Sequence, residues 1–304
     1  TPSVRFYPNS AFNATKQGMQ ESTMNPPETT GNFTADNGVS VFYRCRPAET
    51  ERARLVLAHG LGEHSGRYGH VIDRLAGQGI SVWAIDHQGH GQSGGSRGHI
   101  DRFDQYLKDL KQMVEMAKKG KPEGMKCFLL GHSMGGLIVL RFAELFTDAV
   151  DGVLASSPGL APAMKIPVVK GGAAKLISNI WPTLTFDNEL EPSNLSHDPS
   201  IVQAYIFDPL VNRRISARWF TEFLSAMDAT NANADAIRIP TLMQVAGSDR
   251  LVEPQTSKNY FESLTTKDKA LFFYDDLYHE IYNELGRNRE KVLNDLTKWL
   301  ENHI

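Results

Sequence analysis

Short apolar runs alternate with amphipathic stretches along most of this chain. Apolar runs of about six residues predict buried strands, and apolar positions three or four residues apart predict helices. The predicted strands cover residues 39–44, 53–58, 80–85, 125–130, 150–155, 241–246 and 270–274. The predicted helices cover residues 67–78, 103–119, 135–146, 217–227, 256–264 and 288–303. This alternation predicts an α/β fold with a mostly parallel sheet that helices cover on both faces.

Two segments interrupt the alternation. Residues 1–32 are rich in Thr, Asn, Gln and Pro and show little apolar periodicity, which predicts a loosely ordered N-terminal extension. Residues 157–215 contain seven prolines and no long apolar strand, which predicts an insert of short helices and loops. The core of the fold would then consist of residues 33–156 and 216–304.

The insert carries apolar residues at roughly helical spacing, with lysines between them. The apolar positions are Ile166, Val169, Ala173, Leu176, Ile177 and Ile180. Such a stripe can form a lid that binds an acyl chain or touches a lipid surface, and it can equally pack on the core. The sequence leaves both interpretations open. Under the first, Ile166 and Val169 are candidate substrate contacts.

Composition and charge exclude some classes of function. The chain has 32 Lys and Arg against 35 Asp and Glu, and this net charge of -3 argues against a nucleic-acid partner. Cys45 and Cys127 are too few for a disulfide framework and suit a reducing compartment. No apolar run approaches the ~20 residues that span a bilayer. We therefore expect a cytoplasmic globular protein.

The strongest signal for chemistry is a serine in a G-x-S-x-G motif. The motif at Gly131–Gly135 lies between a predicted apolar strand and a predicted helix. A strand, a sharp turn and a helix form a nucleophile elbow, in which flanking glycines allow a strained serine. The same pattern occurs around Ser93 and Ser96, but these serines lie in a glycine-rich loop with no helix directly behind it. Ser133 is therefore the predicted nucleophile.

A serine nucleophile needs a base within hydrogen-bond reach and an acid that orients the base. In this type of fold the order along the chain is serine, acid, histidine. Asp249 follows the predicted strand 241–246, and His279 follows the predicted strand 270–274. Because such sites assemble at the carboxyl ends of parallel strands, Asp249 is the predicted acid and His279 the predicted base.

Two N–H donors must also stabilise the oxyanion that forms during acyl transfer. Met134, directly after the predicted nucleophile, would supply one donor. The turn His59–Gly62 follows the predicted strand 53–58, and the N–H of Leu61 would supply the other. The alternative is that this turn only connects a strand to a helix.

A second polar cluster, Asp86 with His87 and His90, raises the question of a metal site. These residues lack the i, i+4 spacing of a helical ligand pair, and no second ligand cluster accompanies them. The sequence therefore predicts a structural loop here. It predicts no metal ion and no organic cofactor.

Three motifs resemble those of proteins with the α/β-hydrolase fold. They are HGLGEHSGRY at 59–68, DHQGHGQS at 86–93 and GHSMGG at 131–136. The insert strings LSHDP at 195–199 and DPLV at 208–211 are similar to the cap of the monoacylglycerol lipase and lysophospholipase group. The resemblance covers about residue 33 to the end of the chain. It implies the same triad and the same oxyanion donors that the motifs predict.

The resemblance also implies a substrate and its contacts. Glu63 and Arg67 would line or support the polar end of the site, near the glycerol group. Some members carry a second histidine three positions after the catalytic one. This chain has Tyr282 there, which makes Tyr282 a candidate substrate contact and implies different contacts with the alcohol. The implied activity is hydrolysis of acylglycerol esters, monoacylglycerol above all. The apolar stripe of the insert, interpreted as a lid, adds peripheral membrane contact through the cap.

Other functions fit the same motifs. A broad carboxylesterase or a lysophospholipase would differ only in the pocket that the cap forms, and an amidase or peptidase could use the same triad. A hydrolase fold that only binds its ligand would be favoured by loss of a triad position. Since all three positions are present, an enzyme is the better prediction.

Overall fold

The computed structural model describes residues 26–164 and 175–304. The strands, numbered in chain order, are β1 (Thr29–Thr34), β2 (Ser40–Arg46), β3 (Ala53–Ala58), β4 (Ile80–Ile85), β5 (Lys126–His132), β6 (Gly152–Ser156), β7 (Thr185–Asp187), β8 (Arg214–Ser216), β9 (Thr241–Ala246) and β10 (Lys269–Tyr274). The α-helices are α1 (Gly69–Ala76), α2 (Asp104–Lys118), α3 (Met134–Leu145), α4 (Pro199–Phe207), α5 (Ala217–Asn231), α6 (Pro254–Ser263) and α7 (Gly286–Glu301).

In the described residues, eight of these strands form one sheet in the order β1-β2-β4-β3-β5-β6-β9-β10. Pairing is parallel from β4 through β10, and antiparallel only between β1 and β2 and between β2 and β4. The central strands β3, β5 and β6 are buried over nearly their whole length, as apolar runs in a two-sided parallel sheet must be. The predicted α/β fold with a mostly parallel sheet is confirmed.

The register of the sheet brings the ends of several strands to one edge. Ala58 of β3 pairs with Gly131 of β5, and His132 of β5 pairs with Ser156 of β6. Ala246, the last residue of β9, pairs with Tyr274, the last residue of β10. The loops that follow β3, β5, β9 and β10 therefore leave the sheet at the same edge, and these loops carry the predicted catalytic residues.

The sheet separates two apolar cores. On one face, α2, α3 and α6 pack against the sheet and α5 packs on α3, and the indole N–H of the fully buried Trp219 donates to the Tyr106 hydroxyl at 3.1 Å. On the other face, α1 and α7 cover the sheet, where Trp299 packs edge-on against Phe128. Both layers bury the apolar stripe of amphipathic helices, which is the main source of stability in such folds.

The insert between β6 and α5 contributes no strand to the main sheet in its described part. Residues 175–180 are helical, β7 and β8 pair as a short antiparallel ladder, and α4 lies between them in sequence. The fold resumes at α5, where the Ser216 side chain caps the helix by accepting the N–H of Trp219 at 3.0 Å.

Two boundaries differ from the sequence predictions. Strand β1 begins at Thr29, inside the segment 1–32 that was predicted to be a loose extension, and it pairs with β2 from Thr29 to Thr34. As an edge strand it buries only Phe33, so its apolar signal is weak. The helix predicted from residue 67 is a 3₁₀ turn over Ser65–Tyr68 followed by α1. Residues 1–25 lie outside the described part of the chain.

Strand β5 and helix α3 approach too closely for side chains at two glycines. A Cβ at Gly135 would overlap the carbonyl group of Ala58, and a Cβ at Gly131 would overlap the backbone of Gly135. The contacted atoms belong to the buried backbones of β3 and of α3, which cannot move aside. We expect Gly135→Ala to lower the free energy of unfolding by about 3 kcal/mol, measured by urea denaturation.

A matched control is Gly69→Ala in the first turn of α1. A Cβ there meets no atom within 4 Å, and the residue has helical angles, φ -50° and ψ -46°. Alanine should leave stability unchanged or raise it by up to ~1 kcal/mol, because glycine disfavours helix. Equal stability of Gly135→Ala and the wild-type protein would contradict the packing argument.

Candidate active site

The predicted nucleophile lies on a sharp turn between β5 and α3. Ser133 has φ 55° and ψ -117°, and positive φ is rare for a residue with a side chain. Its backbone is held on both sides: its N–H donates to Ser156 at 2.9 Å, and its carbonyl accepts the N–H of Gly159 at 2.8 Å. These bonds fix a strained serine at the C-terminal edge of the sheet, which is the geometry of a nucleophile elbow.

The predicted acid and base are hydrogen-bonded to each other. Nδ1 of His279 lies 2.6 Å from Oδ2 of Asp249, and both side chains are almost fully buried. The other carboxylate oxygen of Asp249 accepts the backbone N–H groups of Leu251 and Val252 at 2.8 and 3.0 Å. The carboxylate is therefore held in place by its own loop and oriented toward the imidazole.

The electrostatics of this pair suit a base that becomes charged. Burial lowers the pKa of His279, but the Asp249 charge and hydrogen bond outweigh it, so the pKa lies above its usual value of 6.5. Burial raises the pKa of Asp249, but the imidazole and the backbone donors hold it below the usual range. Asp249 thus stays ionised near neutral pH and stabilises a protonated His279.

The turn after β3 supports the predicted oxyanion donors. The N–H of Gly60 donates to Oε1 of Glu63 at 2.6 Å, which leaves the next N–H, that of Leu61, beside the pocket. Met134 opens α3 directly after the serine, and the first amides of a helix have no intrahelical acceptor. Leu61 lines the pocket together with Ser133, and Met134 directly follows Ser133 in the chain, so both stay the predicted oxyanion donors.

Three buried histidines pack behind this turn. The His59 ring centroid lies 4.6 Å from that of His87 and 5.5 Å from that of His90. His59 accepts the backbone N–H of His87 at 3.0 Å, and burial lowers its pKa to about 4. Burial likewise lowers the pKa of His90 to about 3. Within the described ranges no group of histidine, cysteine or acidic side chains has the arrangement of a metal site.

Ser133 and His279 line one pocket with a volume of about 150 Å³. Most of its wall is apolar: one side comes from α5 and the other from the insert and the loop after β9. The apolar lining consists of Leu61, Ala161, Pro162, Leu190, Leu195, Ile215, Trp219, Phe220, Phe223, Leu224, Met227, Leu251 and Val252. A pocket of this kind suits an apolar chain that extends from the serine.

One end of the pocket is polar. Glu63 and Glu280 line it, and Arg67 bridges the two carboxylates with bonds of 2.6 to 2.8 Å. Tyr205 and Asn188, both from the insert, also line this end. The Tyr205 hydroxyl and the Asn188 amide nitrogen are buried and have no hydrogen-bond partner among the described residues.

Sequence reasoning missed three of these residues. Glu280 could have been found, because it directly follows the predicted base. Tyr205 and Asn188 carried no such signal, because only the folded insert brings them to the pocket.

The prediction that Tyr282 contacts substrate is wrong. Its hydroxyl donates to Gln244 of β9 at 2.7 Å inside the core, and its ring packs in the buried layer beneath α7. The 3₁₀ turn Ile281–Asn283 directs the side chain away from the pocket and into the core. The two predicted contacts Ile166 and Val169 lie outside the described residues.

Comparison with known proteins places the chain in a family. The model of the family described as serine aminopeptidase, S33 (Hydrolase_4) matches residues 49–286, well over half of the chain. The chain belongs to this α/β-hydrolase family. In this fold the nucleophile, the acid and the base follow one another in that order along the chain, and the candidates Ser133, Asp249 and His279 have the same order.

This α/β-hydrolase is similar to monoacylglycerol lipases over most of its length. It is 31% identical to the monoacylglycerol lipase of Mycolicibacterium smegmatis over 90% of this chain and 96% of the relative. It is 34% identical to the monoglyceride lipase of Mus musculus over 85% of this chain and 86% of the relative. The chain also matches about a quarter (26%) of an uncharacterized abhydrolase domain-containing protein of Dictyostelium discoideum, at 34% identity over 83% of this chain.

A solved structure shows the same similarity at the level of the fold. The crystal structure of Paleococcus ferrophilus monoacylglycerol lipase superposes with a TM-score of 0.78 at 37% identity, covering 92% of this chain and all (100%) of that one. Together with the family, these relatives show that the α/β-hydrolase described here is a carboxylic ester hydrolase. No helix in the part of the chain that the structure describes is long and apolar enough to cross a bilayer.

The Asp249–His279 hydrogen bond gives a direct test of the candidate triad. Asp249→Asn keeps the shape of the side chain but removes the charge that holds the imidazole in the productive tautomer. We expect the rate of Ser133 labelling by a fluorophosphonate to fall by about 10⁴-fold. The measurement is the labelling rate constant at pH 8.

The control variant is Asp268→Asn, which alters an exposed carboxylate paired with His303 near the C-terminus. It should label at the wild-type rate. A folded Asp249→Asn protein that labels as fast as this control would remove Asp249 from the triad.

Proposed function

We propose that the protein hydrolyses monoacylglycerols to a fatty acid and glycerol, with Ser133 as the nucleophile. The observation that carries this proposal is the two-part pocket around the serine. Its apolar wall suits an acyl chain, and its small polar end offers unpaired hydrogen-bonding atoms to an alcohol. The relatives named monoacylglycerol lipases support the same substrate.

In the proposed acylation step, His279 takes the proton of the Ser133 hydroxyl while Oγ attacks the ester carbonyl carbon. The carbonyl oxygen becomes an oxyanion that accepts the N–H groups of Leu61 and Met134. Asp249 keeps the proton on Nδ1 of His279 and stabilises the imidazolium. His279 then gives its proton to the glycerol oxygen as the carbon–oxygen bond breaks, and glycerol leaves.

Deacylation repeats these steps with water. His279 takes a proton from a water molecule, and the hydroxide attacks the acyl carbon of the ester on Ser133. The tetrahedral oxyanion again lies between the same two N–H donors. When it collapses, the proton returns from His279 to Ser133 and the fatty acid is released.

The acyl side of the substrate would lie along α5. Trp219, Phe220 and Phe223 line the pocket from this helix, and Leu224 and Met227 continue the same apolar face one turn later. Burying an alkyl chain here gains about 0.8 kcal/mol for each methylene group removed from water. Chain length would therefore affect binding through this wall.

The polar end favours an uncharged alcohol over a phosphate head group. Glu63 and Glu280 bring two negative charges and Arg67 brings one positive charge, so the cluster carries a net charge of about -1. A phosphate would be repelled by this charge in a poorly hydrated site. The unpaired hydroxyl of Tyr205 and amide of Asn188 suit neutral hydroxyl groups. This argues for monoacylglycerol over lysophospholipid.

The test is a substrate panel with one acyl chain throughout. It holds mono-, di- and triacylglycerol, lysophosphatidylcholine, lysophosphatidic acid, a p-nitrophenyl ester and an aminoacyl amide, each with wild-type protein and with Ser133→Ala. We expect the highest kcat/KM for monoacylglycerol and a loss of several orders of magnitude, about 10⁶-fold, in Ser133→Ala. Circular dichroism should show that Ser133→Ala remains folded.

Each other outcome selects a different function. Activity on the p-nitrophenyl ester alone would make the protein a general carboxylesterase, and preference for lysophosphatidylcholine would make it a lysophospholipase. Preference for the aminoacyl amide would favour a peptidase. Residual turnover by Ser133→Ala at the wild-type rate would overturn the assignment of the nucleophile.

We also propose that the insert acts as a cap that contacts a lipid surface. In the helical segment 175–180, Ser178 is buried and bonds to Thr221 of α5 at 2.9 Å. The apolar side chains face outward instead: Leu176 is 62% exposed, Ile180 75% and the following Trp181 61%. Apolar residues that avoid the core on an amphipathic segment are typical of interfacial contact.

Replacing this surface should weaken membrane binding without affecting the chemistry. The double variant Ile180→Ser, Trp181→Ser is expected to bind phosphatidylcholine–phosphatidylserine vesicles at least tenfold more weakly in a sedimentation assay, because it removes apolar surface that the membrane would bury. Labelling by a water-soluble fluorophosphonate should be unchanged.

The matched control is Leu145→Ser, since Leu145 is 50% exposed at the end of α3. It should bind vesicles like the wild-type protein. If the double variant and this control bind vesicles equally, the segment is not the contact surface.

A further inference from the structure

A buried cluster of three charged side chains lies between the candidate base and the candidate oxyanion turn. Arg67 donates from Nη1 to Glu63 at 2.8 Å, and from Nη1 and Nη2 to the two carboxylate oxygens of Glu280 at 2.6 and 2.8 Å. The exposed fraction of the Arg67 side chain is 9%, and those of Glu63 and Glu280 are 4% each. Charges buried to this degree need a reason, since their desolvation opposes folding.

The remaining hydrogen bonds of the cluster connect it to both halves of the site. Oε1 of Glu63 accepts the N–H of Gly60, the residue before Leu61, at 2.6 Å. On the other side, Glu280 directly follows His279, and its carboxylate also accepts the side-chain amide of Asn283 at 2.8 Å. A single guanidinium thus ties the turn of the proposed oxyanion donor to the loop of the proposed base.

We propose that Glu280, clamped by Arg67, is a positioning residue for the hydrolytic reaction. It fixes the loop of His279 against the oxyanion turn and places a second negative charge beside the imidazole. The inference rests on the proposed function in that His279 must act as the base. It adds a role for a carboxylate that is not part of the triad.

After Asp249, Glu280 is the charged group that raises the pKa of His279 most. The titratable and charged groups that surround the ring are Asp249 after β9, Glu63 and Arg67 after β3, His132 at the end of β5, Tyr205 of α4 and Glu280 itself. The His132 ring lies 4.7 Å from that of His279, and burial lowers its pKa to about 4, so it adds no positive charge at neutral pH.

The direction of the effect follows from these charges. Burial alone would lower the pKa of His279; the charge of Asp249 raises it most, and Glu280 and then Glu63 raise it further. Glu280 is ionised itself: although burial raises its pKa, the Arg67 guanidinium lowers it more. Removing the Glu280 charge should therefore make the imidazolium less stable and His279 a weaker base.

The test is the pH dependence of Ser133 labelling by a fluorophosphonate. In this reaction the Ser133 oxygen–phosphorus bond forms, fluoride leaves and the proton goes to His279, so no lipid substrate is involved. In Glu280→Gln we expect the acid limb of the rate profile to move to lower pH by roughly half a unit or more. The rate on the alkaline plateau should fall about tenfold, because the base is less well placed and weaker.

Two further variants separate charge from position. Glu280→Asp keeps the charge but shortens its reach, so it should restore the wild-type acid limb while the plateau rate stays reduced. Arg67→Lys keeps the positive charge but loses the bidentate hydrogen bonding to Glu280, and it too should lower the plateau rate. These variants also test the proposal if Glu280→Gln does not fold.

The control is Asp276→Asn, an exposed carboxylate on the turn just before His279. Its acid limb and plateau rate should match those of the wild-type protein. An acid limb in folded Glu280→Gln that coincides with this control would overturn the proposal. If the variants change the labelling as expected but the wild-type protein hydrolyses no lipid, only the proposed substrate is overturned.

Discussion

The close approach of β5 to α3 around Ser133 is the constraint on which the rest of the site depends. Glycines at 131 and 135 let the helix backbone touch the sheet, and that contact forces the serine between them into a positive φ. Its strain is held by hydrogen bonds to Ser156 and Gly159, which belong to the next strand and its loop. The parallel register then brings the loops of Asp249 and His279 to the same edge, so the sheet itself preorganises the chemistry.

Buried charge is the second constraint on the site. The Arg67 cluster and the Asp249–His279 pair place several ionised groups in a poorly hydrated region, where each needs a partner. The structure supplies these partners from backbone amides and short side chains, as with Gly60 and Asn283. Dipoles held in this way need no reorganisation when charge develops during a reaction. Burying these charges therefore lowers the stability of the fold but leaves the site electrostatically preorganised.

Local pattern was enough to predict the sheet, the sharp turn at Ser133 and the candidates Asp249 and His279, which the structure brings into hydrogen-bond contact. Strands β5 and β9 are buried on both faces, so they read as unbroken apolar runs, and Ser133 and Asp249 follow them. His279 follows β10, an edge strand that is only partly buried but still reads as an apolar run. The pattern fails at the opposite edge strand, β1, which buries only Phe33. It fails again at Tyr282, because one 3₁₀ turn decides whether a residue near His279 faces the pocket or the core.

The insert shows why substrate is harder to read from sequence than chemistry. Tyr205 and Asn188 reach the pocket only because α4 and the β7–β8 ladder fold over the sheet edge, and no periodicity encodes that packing. The insert is not independent of the chemistry, however. The Arg67 guanidinium stacks on the Tyr205 ring at 5.0 Å while it clamps Glu280. Movement of α4 would therefore reach the loop of His279 through Arg67, so the packing of the insert and the placement of the candidate base depend on the same side chain.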